Sequence, residues 1–146
     1  MMTLQEINKN ARKMGMAYEK ILLPLVVETD MPHTAITILL FIANNPDFAT
    51  ARDICEMSGL KRPNVSAHVE RLVQEGYIER RAVPGDRRLD ALVCTEKATR
   101  IVEMGRARQV QFAEALLDGI TEEERAAMEH FFNTMNANID KIIKEK

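Results

Sequence analysis

The sequence lacks the features that mark enzymes, membrane spans and secreted precursors. It has no glycine-rich phosphate loop, no Gly-x-Ser-x-Gly motif and no His-Glu-x-x-His zinc motif. Its longest unbroken apolar run, Ile38 to Ala43, is far shorter than the ~20 residues that a membrane-spanning helix needs. Residues 1–13 mix polar and charged side chains with apolar ones, unlike a signal peptide. We therefore expect a cytoplasmic protein that is not an enzyme, with no membrane contact and no cofactor.

Cysteine and histidine are also scarce. The two cysteines, Cys55 and Cys94, match neither a CxxC motif nor a zinc-finger spacing. In a reducing compartment their favoured interpretation is as small apolar residues, and a thiol redox switch is the alternative. The three histidines, His33, His68 and His130, lie far apart along the chain. We therefore expect no metal site.

What is present is the composition of one ordinary globular domain with an uneven charge. The chain has 146 residues, of which 46% are apolar and 29% charged. The net charge is −2, but residues 61–88 hold seven Lys and Arg side chains against four carboxylates. That segment is thus +3 and the remainder −5. A basic patch on an acidic body indicates a protein that contacts phosphate with one surface.

The apolar periodicity predicts two helices in the first third of the chain. Apolar residues recur at spacings of three and four from Leu4 to Leu25, and Pro24 should kink or stop this helix. The second helix should begin at Pro32 and end near Ala43. It is apolar nearly all round, so we expect it to be buried centrally.

Two shorter helices around a glycine turn follow. Thr50 and Asp53 stand at capping-box spacing and open a helix whose buried face should hold Ile54 and Met57. Ser58-Gly59 forms the turn. The next helix should run from about Arg62 to Gln74. Its inner face consists of Val65, Val69, Leu72 and Val73.

The rest of the chain predicts a hairpin and two long helices. Segments 77–83 and 89–93 have strand character and flank a turn at residues 84–88. A helix should begin at Thr95 and continue to about Leu117. Thr121 and Glu124 form a second capping box, which opens the last helix.

This order predicts a mainly α fold with a small β-hairpin wing. A winged helix-turn-helix domain at residues 31–94 would be flanked by dimerisation helices in residues 1–30 and 95–146. The terminal helices carry apolar stripes that would be exposed in a single chain, so we predict a symmetric homodimer. The dimerisation candidates are Leu4, Ile7, Ala11, Phe132, Met135, Ile139 and Ile142.

The second helix of a helix-turn-helix can enter a major groove about 12 Å wide. Arg62 could pair with guanine, Asn64 with adenine, and Ala67 could contact a thymine methyl. Lys61 and Arg71 are better placed for phosphate. The full set of DNA-binding candidates on this helix is Lys61, Arg62, Pro63, Asn64, Ser66, Ala67, His68 and Arg71.

The hairpin supplies a second candidate contact with DNA. Asp86, Arg87 and Arg88 place guanidinium groups near its tip, suited to the negative potential of a narrow minor groove. Asp86 could hold Arg88 in one rotamer by a charge-assisted hydrogen bond.

Four segments carry a family resemblance: Ser58 to Ser66, Val69 to Arg81, Gly85 to Arg88 and Thr95 to Lys97. They resemble the multiple-antibiotic-resistance regulator (MarR) family. The resemblance implies a triangular homodimer with its winged domains below a dimerisation region. It also implies a palindromic operator in double-stranded DNA and repression that a small, often phenolic or anionic, ligand releases. By position it makes residues 61–74 the recognition helix and pairs Asp86 with Arg88 in the minor groove.

The chain departs from the family at Lys61, where members often carry Ser or Thr, so the usual side-chain N-cap is missing. Candidate effector contacts are Met14, Tyr18 and Phe41. A different class of function, a winged-helix module that binds proteins without reading bases, remains the alternative. Operator, effector and the choice between repressor and activator are left open by the sequence.

Overall fold

A computed structural model describes residues 1–47 and 49–145, with residues 86–89 described by their backbone alone. Within these residues the helices are α1 (Leu4–Thr29), α2 (His33–Asn44), α3 (Ala51–Ser58), α4 (Arg62–Gln74), α5 (Thr99–Leu116) and α6 (Glu122–Lys144). The strands are β1 (Ile78–Val83) and β2 (Asp86–Cys94), and a 3₁₀ turn (Glu96–Ala98) precedes α5. The mainly α fold with a β-hairpin wing is confirmed.

Helix α1 continues past Pro24, so the prediction that this proline could stop it is wrong. A proline inside a helix costs about 3 kcal/mol, because it removes one hydrogen bond and crowds the preceding turn. Leu22 and Leu25 on either side of it are fully buried, and burying a leucine contributes about 1.5–3 kcal/mol. Burial on both sides therefore offsets the proline. The helix begins at a capping box between Thr3 and Glu6, and the apolar periodicity alone does not predict this start.

Helix α2 is the centre of the core, as its all-round apolar pattern predicts. It begins at His33, with Pro32 at the N-cap rather than in the first helical position. Its buried residues are Ala35, Ile36, Ile38, Leu39, Leu40 and Ile42. Helix α5 approaches it closely at Gly105, where an added Cβ would overlap the side chain of Leu40. A glycine at this point lets the two helices pack.

Helices α3 and α4 form the predicted helix-turn-helix. The Thr50–Asp53 capping box is present, and Gly59 adopts a left-handed conformation, φ +67°, just after α3. Ile54 is buried, but Met57 is exposed, so its predicted burial is wrong. Residues 51, 54, 55 and 58 form the inward stripe of α3, and Met57 lies about 100° away from its centre on a 3.6-residue helix.

The wing is an antiparallel hairpin with Ile78 opposite Cys94 and a register shift at Ala82/Val83. Its turn contains only Pro84 and Gly85, so β2 begins three residues earlier than the sequence predicts. Ile78 and Leu92 are buried in the core. The Leu92 backbone N–H also donates to the Ala49 carbonyl at 2.7 Å, which joins the wing to the segment that leads into α3.

The chain divides into two compact units, Met1–Phe112 and Ala113–Lys146. In the second unit, the Thr121–Glu124 capping box begins α6 as predicted. Helix α5 begins at Thr99 rather than at Thr95, because Thr95 is extended and uses its N–H and hydroxyl elsewhere. No single helix among the described residues is long and apolar enough for a membrane span; only α1 with α2, as a pair bent by 100°, meets that test.

Candidate nucleic-acid interface

Helix α4 presents one apolar face to the core and one polar face to solvent. Val65, Val69 and Leu72 are buried, with Val73 half-buried beside them, as the periodicity predicts. The spacing of four and three directs the intervening residues outward. The exposed residues of the first three turns are Arg62, Pro63, Asn64, Ser66, Ala67, Glu70 and Arg71, and His68 is half-buried.

The turn before α4 is held by local hydrogen bonds. The Ser58 hydroxyl donates to the Ile54 carbonyl at 2.7 Å and accepts from the Leu60 N–H at 3.2 Å. The Gly59 N–H donates to the Cys55 carbonyl at 2.9 Å. These bonds fix the direction in which the chain leaves α3, and so the direction in which α4 begins.

The N-terminus of α4 is open and basic. Lys61 is the N-cap residue and makes no side-chain capping hydrogen bond, which confirms the predicted absence of a cap. No carboxylate among the described side chains lies within salt-bridge distance of Lys61 or Arg62. The positive end of the helix dipole and the cationic side chains of Lys61 and Arg62 together form a site that attracts anions.

Three other cations of the patch, Arg71, Arg80 and Arg81, are paired within the protein. Arg71 Nε donates to Glu75 Oε1 at 2.8 Å, and this hydrogen bond and the charge of Glu75 raise the pKa of Arg71. Arg80 Nη2 donates to Glu70 Oε2 at 2.8 Å, from β1 to the exposed face of α4. Exposed pairs of this kind exchange readily for other partners, because each contributes only about 0–1 kcal/mol.

The predicted minor-groove residues lie at the start of β2. The backbones of Asp86, Arg87 and Arg88 belong to the strand rather than to the loop, because the turn is shorter than predicted. Their side chains lie outside the described part of the structure, so the pairing of Asp86 with Arg88 remains a prediction. On the opposite strand, Arg81 donates to Glu79 at 2.8 Å.

Comparison with known proteins is consistent with this interface. Residues 29–89 match the profile of the MarR family. This part of the chain resembles the MarR family. The match covers α2, the helix-turn-helix and the wing up to Leu89, which includes every DNA-contact candidate. No curated protein matches the chain.

Solved structures share the fold of this chain over nearly all of its length. The transcriptional regulator PA3341 is 23% identical with a TM-score of 0.80, covering 92% of this chain and 98% of its own. A MarR protein from Peptoclostridium difficile is 19% identical with a TM-score of 0.75, covering 97% and 94%. A protein from Listeria monocytogenes complexed with 26mer DNA is also 19% identical with a TM-score of 0.75, covering 95% and 89%.

Burial differs among the three predicted effector contacts, Met14, Tyr18 and Phe41. Tyr18 is half-buried, with its ring 6.2 Å from that of His33 and 5.3 Å from that of Phe112. Gln109 Nε2 donates to its hydroxyl oxygen at 2.8 Å. Phe41 is half-buried against the core, whereas Met14 is exposed. These contacts fit a packing role for Tyr18, and its role as an effector contact stays a prediction.

Two polar side-chain atoms of α2 have no hydrogen-bond partner among the described residues. His33 Nε2 and Thr37 Oγ1 are buried and unbonded among the described residues. Buried polar atoms are normally hydrogen-bonded, so an unbonded pair four residues apart on one helix face needs an explanation. A separate cavity of about 490 Å³ lies between the ends of α2 and β2 and the start of α5, and none of the three effector candidates lines it.

Both cysteines are half-buried free thiols. Cys94 Sγ donates to the Leu39 carbonyl at 3.7 Å, and burial raises the pKa of this thiol. A raised pKa keeps the thiol protonated and unreactive, which favours the packing interpretation. Within the described residues, no group of three His, Cys, Asp or Glu side chains is arranged to hold a metal ion.

The predicted dimerisation residues are mostly solvent-facing. On α1, Leu4 is 74% exposed, Ile7 38%, and Ala11 is also exposed. On α6, Phe132, Ile139 and Ile142 are exposed, while Met135 is half-buried. No residue of α6 is buried.

Proposed function

We propose that this protein is a transcriptional regulator that reads double-stranded DNA in sequence-specific fashion as a homodimer. The observation that carries the proposal is the polar, basic outward face of α4, where Lys61 and Arg62 have no ion-pair partner among the described side chains. A palindromic operator would receive the two recognition helices about 34 Å apart, one turn of B-DNA. Such a role places the protein in the cytoplasm.

Within α4 we divide the contacts by chemistry. Arg62, Asn64 and Ala67 stand on the exposed face near the N-terminus, which is the part of a recognition helix that meets base edges. Lys61 at the N-cap, together with Arg71 almost three turns further on, would bind phosphate and set the register. Pro63, Ser66 and His68 would lie at the edges of the contact.

The wing would add a contact in the minor groove. Because β2 begins directly after the Pro84–Gly85 turn, Arg87 and Arg88 belong to the outermost part of the hairpin. Narrow A·T tracts attract arginine through their negative potential. Asp86 would restrain Arg88 by a charge-assisted hydrogen bond.

Homodimerisation would cover the apolar surfaces of the terminal helices. Exposed apolar residues lie on both helices, and exposed apolar surface of this kind is typical of a protein–protein contact. They include Leu4, Ile7 and Met14 on α1 and Phe132, Ile139 and Ile142 on α6. A two-fold dimer uses the same patch on both subunits and places the two recognition helices at a fixed spacing.

A small phenolic or anionic ligand would act near Tyr18. His33 Nε2 and Thr37 Oγ1 have no hydrogen-bond partner among the described residues. They support a polar ligand there, because it would supply the missing hydrogen bonds. Release of the operator on ligand binding would make the protein a repressor.

Selection from a randomised duplex library tests the proposal. We expect the protein to enrich a two-fold symmetric sequence, to protect it in a footprint and to sediment as a dimer. Enrichment of no sequence, together with weak binding of equal strength to all duplexes, would reject DNA reading. Retention of a protein partner under those conditions would favour the protein-binding module instead.

A further inference from the structure

The turn that follows the recognition helix is held by one short segment outside the helix-turn-helix. Three consecutive carbonyls, those of Glu75, Gly76 and Tyr77, all accept hydrogen bonds from Thr95 and Lys97. Lys97 Nζ donates to Glu75 at 2.6 Å, and the Thr95 hydroxyl donates to Gly76 at 2.6 Å. The Thr95 backbone N–H donates to Tyr77 at 2.9 Å.

The backbone N–H groups of the same turn are used differently. The Tyr77 N–H donates to the Leu72 carbonyl and the Gly76 N–H to the Val73 carbonyl, both within 3.0 Å. With Gly76 at φ +79°, this is the Schellman arrangement at a helix C-terminus. The N–H donors of this turn thus bond to carbonyls within α4. Its carbonyl acceptors bond instead to Thr95 and Lys97, in the segment that precedes α5.

Lys97 also places a positive charge where α4 attracts it. Its ammonium group lies 4.4 Å from the centroid of the Tyr77 ring. It stands at the C-terminal end of α4, where the helix dipole is negative. Cation–π contact, dipole and hydrogen bond all favour one position of this flexible side chain.

Thr95 and Lys97, which we call the anchor, lead directly into α5. Ala98, the next residue, is fully buried, and α5 begins at Thr99. Movement of the N-terminal end of α5 would therefore move the carbonyl-bound end of α4. The C-terminal end of the recognition helix is tied to a second helix as well as to the core beneath it.

We propose that Thr95 and Lys97 are positioning residues that set the orientation of α4 for base reading, and that Lys97 is not a phosphate contact. The inference rests on the proposed DNA-binding function. A cation in a DNA-binding domain would ordinarily be assigned to phosphate, so the two roles make opposite predictions about salt.

The test compares Lys97→Met with Lys61→Met, both of which remove one ammonium group and keep an unbranched stem. Affinity is measured for a duplex selected by the wild-type protein and for a random duplex, across a range of salt concentrations. For Lys97→Met we expect selected-duplex affinity to fall on the order of tenfold, random-duplex affinity to persist and the salt slope to stay unchanged. For Lys61→Met we expect the slope to fall by about 0.9 per subunit.

Conservative variants separate positioning from folding. Lys97→Arg keeps a cation and a donor and should restore most of the affinity for the selected duplex. Thr95→Val removes the hydroxyl bond to Gly76 and should act in the same direction as Lys97→Met. A reduced salt slope in Lys97→Met, or unchanged affinity for the selected duplex, would overturn the inference.

Amide exchange keeps the two proposals distinguishable. If the wild-type protein selects no duplex, the proposed function fails, but the anchor can still be measured in the free protein. Lys97→Met should then speed exchange of the Gly76 and Tyr77 amides, while exchange at Ile36 in the core stays slow. Equal exchange at Gly76 in the variant and the wild type would refute the anchor.

Discussion

Arg80 on β1 and Glu70 on α4 form an ion pair of 2.8 Å across the exposed junction of wing and recognition helix. Both side chains are about half exposed, 40% and 55%, so the pair contributes at most about 1 kcal/mol to folding. Its larger effect is on charge, because Glu70 places a carboxylate in the middle of the basic patch. We therefore expect the pair to restrain the affinity of the patch for DNA.

Glu70→Gln should strengthen binding to random duplex DNA several-fold, because it removes this carboxylate and releases Arg80. If Arg80 then reaches phosphate, the salt slope should steepen by about 0.9 per subunit. Fluorescence anisotropy at several salt concentrations measures both effects. Glu129→Gln on α6 makes the same charge change outside the patch and serves as the control. A gain no greater than that of Glu129→Gln would contradict the prediction.

Arg62→Ala should relax specificity at one base pair in each half-site. A bidentate arginine–guanine contact discriminates against other bases by about 1–3 kcal/mol, so the preference at that position should fall tenfold or more. Selection with the variant protein, followed by affinity measurement on single-base variants of the duplex, reads out the change. Uniform weakening across all base variants would instead assign Arg62 to phosphate.

Arg88→Ala should weaken binding to many sequences and lower the salt slope by about one per wing. The expected loss follows from removing a guanidinium group from the outer part of the hairpin. Affinity for A·T-rich flanks should fall more than affinity for G·C-rich flanks, because the narrow groove is the more negative. An unchanged slope would argue against any phosphate or minor-groove contact by this residue.

Much of the fold could be predicted because local signals and packing agree. The periodicity of α4 gives the observed bounds, and the capping boxes at Thr50 and Thr121 give the starts of α3 and α6. The buried position of α2 follows from its all-round apolar pattern. Where helix propensity, apolar periodicity and burial all agree, the sequence alone predicts the helix and its bounds.

The errors occur where tertiary contacts override a local rule. Pro24 is tolerated because residues on both sides of it are buried. The rule that proline ends or kinks a helix takes no account of such burial. Thr95 has the residue type of a helix cap, yet its hydroxyl donates to Gly76, nineteen positions earlier. The ion pairs of Arg71 and Arg80 are likewise invisible to a charge count. For the proposed anchoring role of Lys97, the only signal in the sequence is the segment Thr95-Glu96-Lys97, which resembles the MarR family.

Peroxide should leave DNA affinity unchanged, because burial raises the pKa of Cys94 and keeps its thiol protonated. The same shift predicts a pH effect on folding. Its stabilising contribution is complete below the unfolded thiol pKa of about 8.5 and is lost as pH rises from there through the folded-state pKa. Urea unfolding of the wild type and Cys94→Ala should therefore show a gap in stability that narrows at alkaline pH. A peroxide-dependent loss of DNA binding that Cys94→Ala abolishes would establish the thiol switch instead.

Gly105→Ala and Gly15→Ala should shift stability in opposite directions, although both replace a glycine inside a helix. Alanine is favoured over glycine by about 1 kcal/mol in a helix interior, and nothing lies within 4 Å of a Cβ at Gly15, so that variant should gain about this amount. At Gly105 the new Cβ would overlap Leu40, whose Cδ1 lies only 2.8 Å away and whose side chain is fully buried.

Overpacking of this kind costs about 1–3 kcal/mol, which exceeds the helical gain and should leave Gly105→Ala less stable than the wild type. Urea midpoints of the two variants measure the difference, with sedimentation confirming that the oligomeric state is the same. If Gly105→Ala were as stable as Gly15→Ala, α5 would not approach α2 at this glycine, and the route by which the Thr95–Lys97 anchor is fixed to the core would have to be found elsewhere along α5.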